Sequence, residues 1–143
     1  MAITSAICNS FKQEILEAEH NFTASTGNTF NLALYTSDAT LNKSTTAYSS
    51  SNEITNSSGT AYSAKGKALT SVTPTLSTDT AVCDFADVSW TSASFTANGC
   101  LIFNDSHASV CAIAFGSDKT VTSGTFTIQF PTADATNAII RIA

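Results

Sequence analysis

The hydrophobic period of this chain changes once. Near the start, Ile7, Phe11, Ile15, Ala18 and Phe22 recur at i, i+4, i+8, i+11 and i+15, the spacing of one face of an α-helix. Glu14, Glu17 and Glu19 fall on other faces. Thr4 or Ser5 can cap the start, and Asn21 with the turn Ser25-Thr26-Gly27-Asn28 can end it. The pattern predicts a helix over about residues 5–20. Its apolar face packs on a sheet or docks on a neighbouring subunit.

Beyond Gly27 the period is two. Residues 29–36 alternate, with Phe30, Leu32 and Leu34 on one side, and predict a strand. Residues 37–60 are a long polar stretch whose apolar anchors are Leu41, Tyr48 and Ile54. Loops of this length in small domains usually carry function or pair with a neighbour. Further strands are predicted at residues 67–70, 81–85, 88–90, 94–96, 100–103, 109–115, 124–130 and 138–142. Asn104-Asp105-Ser106-His107 reads as a hairpin turn and Gly116-Ser117-Asp118-Lys119 as another, while Pro131 stops a strand. Short strands at about ten-residue spacing predict a mainly β fold, an antiparallel β-sandwich or jelly-roll-like arrangement with one N-terminal α-helix. No repeat or linker divides the chain, so residues 1–143 are expected to form a single domain.

Composition narrows the function. Ser and Thr make up about three residues in ten, whereas charged residues are only 12% and the net charge is -5. So few cations, with Lys65 and Lys67 the only local basic pair, argue against nucleic acid. Low surface charge suits a subunit that is partly covered in an assembly. No basic and apolar leader opens the chain, and no window approaches the ~18 apolar residues of a membrane helix, so no export and no membrane partner are expected. Cys8, Cys83, Cys100 and Cys111 match no metal or haem spacing. They read as buried thiols, with a Cys83–Cys100 or Cys100–Cys111 disulfide as the alternative.

Candidate chemistry is sparse. Asp105-Ser106-His107 has the residue types of a hydrolytic triad, but adjacent residues cannot adopt triad geometry, and no GxSxG elbow exists. His20 reads as a cap near a helix end. Asp84 and Asp87 beside Trp90 could serve a glycan, or could bond to backbone beside a core Trp. Asp105 and Asp118 lie in turns without EF-hand spacing. Asn-x-Ser/Thr triplets at Asn21, Asn42, Asn56 and Asn104 are expected by chance in so hydroxyl-rich a chain. No catalytic residue, metal or cofactor is expected, and the chain reads as non-enzymatic.

Residues 2–6 leading into Ser10-Phe11-Lys12-Gln13-Glu14-Ile15-Leu16, the strand 29–36, residues 84–90 with 94–97, Cys100-Leu101-Ile102-Phe103-Asn104 and the ending 124–131 together resemble small virion proteins of tailed double-stranded DNA phages of cyanobacteria and marine bacteria. Such proteins are similar to capsid decoration, or cement, proteins. The resemblance implies a β-sandwich module, commonly a homotrimer, on the exterior of an expanded icosahedral shell. It would be made in the host cytoplasm and would bridge subunits of the major capsid protein. It transfers no active site. The expected contact elements are the helix, the 37–60 loop and a terminal strand within residues 138–143. Phe11, Ile15, Tyr48, Ile54 and Tyr62 are the candidate interaction residues. Another virion part (tail, adaptor or fibre-associated subunit) and a glycan-binding β-sandwich are the alternative functions.

Overall fold

A computed structural model describes residues 2–143. The chain folds into two antiparallel sheets with one short helix. The larger sheet has the order β1-β7-β6-β2-β3, and the smaller the order β4-β5-β8. In the first sheet, β1 (Ala6–Ile7) and β3 (Lys67–Ala68) are short edges. They flank β2 (Phe30–Tyr35) and the long hairpin of β6 (Val88–Asn104) with β7 (Ser109–Ile128). The second sheet contains β4 (Ser71–Ser77), β5 (Thr80–Phe85) and β8 (Ile140–Ile142). The architecture is the predicted mainly β one. No helix among the described residues is long and apolar enough to cross a membrane.

The helix α1 spans only Asn9–Leu16, shorter than the expected 5–20. Two local facts trim it. Ile7, although at helical spacing, pairs as a strand residue with Cys111, and Ala6 pairs with Ala112. The Ser5 hydroxyl accepts from the Ala114 amide at 2.9 Å instead of capping. At the other end Ala18 turns left-handed (φ 61°), and the Glu17 and Glu19 amides both return to the Glu14 carbonyl. Phe22, beyond the helix, still reaches the core and stacks on Phe30 with centroids 4.3 Å apart.

The period-two reading of β2 holds on one face and misses the other. Phe30, Leu32 and Leu34 join the main core between the sheets, with Trp90, Ile102, Phe85 and Ile140. Ala33 and Tyr35, on the opposite face, are equally buried in a second cluster with Leu101, Phe103 and Ala112. Covering that second face is the work of the polar 37–60 stretch, which brings Ala39, Leu41 and Tyr48 against it. Isolated bridges Tyr35↔Glu53 and Ala47↔Ala108 tie the stretch to the sheet. Truncating a core ring such as Phe30 to Ala would cost about 3–5 kcal/mol.

The segments read as separate strands over 88–103 and 109–130 are two continuous strands. Gly116-Ser117-Asp118-Lys119 is not a turn but part of β7. Ala97 faces Lys119 while Gly99 already faces Ala114, so β7 carries three extra residues there. They are absorbed as a bulge at Gly116, whose φ of 80° suits glycine. The predicted turn at 104–107 is present and joins β6 to β7, with His107 left-handed (φ 77°).

Candidate contact surfaces

The expected interaction residues separate into two groups. Phe11, Ile54 and Tyr62 belong to the main core, 3%, 6% and 2% exposed, so they are not available as surface contacts. Their apolar character in a polar context reflects long-range packing. Ile15 and Tyr48 are partly buried. Ile15 lines a surface groove, and Tyr48 lies on Phe103 with centroids 4.7 Å apart.

Groups with chemical potential are engaged in internal bonds. The Glu53 carboxylate accepts from the Tyr48 hydroxyl (2.5 Å), the Tyr62 hydroxyl (2.6 Å) and the Lys65 amide (2.7 Å). The Tyr62 oxygen in turn accepts from the Leu34 amide (2.9 Å) on the outer edge of β2, and the Tyr35 hydroxyl donates to the Ser49 carbonyl (2.7 Å). Burial, with Glu53 nearby, pushes Tyr48 up to about 12 and raises Tyr35 and Tyr62 further. All three phenols stay neutral donors across the ordinary pH range.

His20 is not an exposed cap. Its side chain is fully buried, with Nε2 2.6 Å from a Glu14 oxygen and Nδ1 3.1 Å from the Asn104 amide nitrogen. That geometry fits a neutral ring whose Nε2–H donates to Glu14 while Nδ1 accepts from Asn104. Phe11 and Phe30 flank the ring, with centroids 4.9 Å and 6.1 Å away. Asp84 and Asp87 bond to the backbone amides of Phe85 (2.8 Å) and Phe130 (2.9 Å), and Trp90 is 1% exposed. Trp90 is therefore a core residue that cannot stack on a sugar. Asp105, Ser106 and His107 form a turn. All four cysteines are free thiols. Burial raises Cys100 well above its ordinary value, Cys111 to about 12 and Cys83 to about 11.

What the surface does offer is apolar concavity. The larger groove, about 610 Å³, runs beside the β1 edge and is lined by Ile7, Ile113, Phe115, Ile128, Phe130 and Ile139. These side chains are partly buried flanks of the main core, left uncovered because the second sheet is much shorter than the β6–β7 hairpin. A second groove, about 420 Å³, opens where the end of α1 parts from the β4-β5-β8 sheet. Hydropathy alone could not locate either groove, because each is made where residues distant in sequence fail to cover one another. No protein-family model, no curated protein and no solved structure matches the chain.

Proposed function

We propose that the chain is a non-enzymatic structural subunit of a tailed-phage virion, of the capsid-decoration kind. In this role it binds the expanded shell as a homotrimer and bridges neighbouring copies of the major capsid protein. The observation that carries the reading is the destination of the polar side chains. Glu14, His20, Glu53 and the three tyrosines are committed to internal bonds that stiffen the body. The outer surface, by contrast, presents open apolar grooves. Low charge and stiffness suit a protein whose work is to be covered by neighbours. A subunit that binds only the expanded lattice stabilises it by mass action, and trimeric attachment multiplies weak contacts.

The test is titration of the purified protein onto expanded, protein-stripped shells of the phage that carries it. Saturation at a fixed ratio to the major capsid protein, with a raised shell melting temperature, supports cement. Absence of binding, with co-sedimentation on isolated tails, would transfer the protein to the tail. The 37–60 segment cannot be tested by deleting residues 44–58, because Ile54 lies in the core and the Thr45 carbonyl holds the Ser109 hydroxyl at 2.6 Å. Substitutions of its exposed residues, such as Ser50 and Ser51 to Lys, test the segment without unfolding it.

A further inference from the structure

Among the described residues four large apolar side chains are exposed; Leu76 and Ile142 share one face of the second sheet, whereas Val72, 44% exposed, faces Asp84 on the other. Leu76 is 74% exposed, Ile142 55% and Leu16 88%. In the second sheet Leu76 faces Ala81, and Ala81 faces Ile142. Directly opposed residues share a face, so these three form one row across the sheet. Ala81 and Ile142 line the groove of about 420 Å³, and so does Ile15, the neighbour of Leu16. The same sheet face continues through Cys83 and Ile140 into the main core. The groove is thus the overhanging end of an inner face that the first sheet does not reach.

The charges around it have one sign. Glu17 and Glu19 bracket Ala18, which lines the groove, and Asp79 sits at the tip of the β4–β5 hairpin beside the Leu76–Ala81 pair. Among the described residues no Lys or Arg lines the groove, and the Glu14 carboxylate is taken up by the His20 N–H. Arg141 alternates to the other face of β8 and donates to the Ala135 carbonyl.

We infer that this acidic-rimmed apolar groove is a docking site for a heterologous protein segment that inserts aliphatic or aromatic side chains and carries Lys or Arg beside them. Charge decides the occupant. A second copy, with a net charge of -5, meets this acidic rim with repulsion, most of all in a two-fold contact, which would set Glu17, Glu19 and Asp79 against their own kind. A basic-flanked segment instead meets attraction at the rim and a dry apolar floor in the centre. The inference does not depend on a virion role.

The test uses a fluorescein-labelled peptide with a Leu/Ile/Phe centre between Lys pairs, and its counterpart with Glu pairs, titrated into the full chain by fluorescence anisotropy. The Lys peptide is expected to bind, more weakly as salt rises, and the Glu peptide at least tenfold more weakly. Leu76→Ser with Ile142→Ser is expected to weaken binding of the Lys peptide about tenfold or more. Glu17→Gln, Glu19→Gln and Asp79→Asn together are expected to weaken it about tenfold and flatten its salt dependence. These positions are exposed, so folding should be retained, as circular dichroism will report. Equal binding of both peptides, binding of neither, or indifference to these substitutions overturns the inference. So does a sedimentation mass above the monomer that falls with Leu76→Ser and Ile142→Ser, which would assign the face to a second copy.

Discussion

Replacing Glu53 by Ala should loosen the irregular 36–66 excursion from the sheet while leaving the sheet's own ladder in place. The carboxylate is the single acceptor for three donors: the Tyr48 and Tyr62 hydroxyls and the Lys65 amide. Hydrogen bonds to a charged group contribute about 1.5–3 kcal/mol each when water cannot replace them. Tyr48 is partly exposed and the Lys65 amide lies at the surface, so water takes over much of their loss. Tyr62 is 2% exposed, and its oxygen also receives the Leu34 amide. The loss is therefore concentrated there, and Glu53→Ala is expected to cost about 2–4 kcal/mol. Glu53→Gln keeps one good acceptor and should cost about half as much. Tyr62→Phe leaves the Leu34 amide without an acceptor and should cost about 1–3 kcal/mol. Because the two residues share one bond, the double variant should lose about 1 kcal/mol less than the sum of the single losses.

Urea unfolding followed by the fluorescence of Trp90, the chain's one tryptophan, measures the totals. Amide exchange gives the location: the Ile54 amide bonds to the Leu34 carbonyl and the Thr36 amide to the Asn52 carbonyl, both at 2.9 Å. Both should exchange faster in Glu53→Ala, while amides of the β6–β7 hairpin keep their relative protection. A loss below about 0.5 kcal/mol, the range of an ordinary surface substitution, would refute the clamp. Uniform acceleration across the hairpin would refute its local nature.

Other perturbations have equally definite outcomes. Buried phenols and thiols hold their protons in the folded chain above the ordinary values of 10.0 and 9.0, so stability is complete below about pH 9 and falls as pH rises toward 12. Each such group adds about 1.4 kcal/mol per pH unit, and unfolding titrations across that window should show a steep alkaline loss with no matching change near neutrality. Gly66→Ala places a Cβ against the Leu32 carbonyl at a backbone φ of 68°, and should lower stability by about 3 kcal/mol or more, read as melting temperature, by parting β3 from β2. Asn104→Ala removes the partner of His20 Nδ1 and of the Glu19 carbonyl, and should cost about 1–3 kcal/mol while speeding exchange in the 104–108 turn. Trp90→Phe should cost clearly less than the roughly 3–5 kcal/mol of Trp90→Ala in urea unfolding followed by circular dichroism, since the buried indole N–H has no acceptor to lose.

Local pattern carried the fold class because β2 and the hairpin strands bury a face at every second residue, and that alternation is written in Phe30, Leu32 and Leu34. It failed wherever a distant partner decided the outcome. Ile7 satisfies both a helical face and a strand pairing, and the pairing prevails because β7 there has edge groups to satisfy. Gly116-Ser117-Asp118-Lys119 has the composition of a turn, yet Lys119 opposite Ala97 holds it within a ladder as a bulge. The contact residues suffered most. Ile54 and Tyr62 stand alone among polar neighbours, which locally looks like exposure, while their burial comes from β2 and Trp90 across the fold. The grooves had no local signature, because Leu76 and Ile142 become neighbours only through β5.

Part of the Ser and Thr content has an immediate structural cause. An irregular layer laid over a sheet leaves backbone groups that no ladder satisfies, and short hydroxyl and amide side chains supply the missing partners. The Ser109 hydroxyl reaches the Thr45 carbonyl at 2.6 Å, Thr45 Oγ1 accepts the Asn42 amide at 3.0 Å, and Asn42 Oδ1 accepts the Ser44 amide at 2.8 Å. Along the hairpin, Ser89 with Thr127 and Thr96 with Thr120 are laced across the strands at 2.8 Å. Hydroxyls bonded in this way are poor recognition elements, since a partner would have to displace an existing bond before making a new one. Recognition then falls to surface that is not already satisfied internally. On this chain that surface includes two apolar grooves, and where one of them opens beside α1 the fixed charges at its rim are acidic.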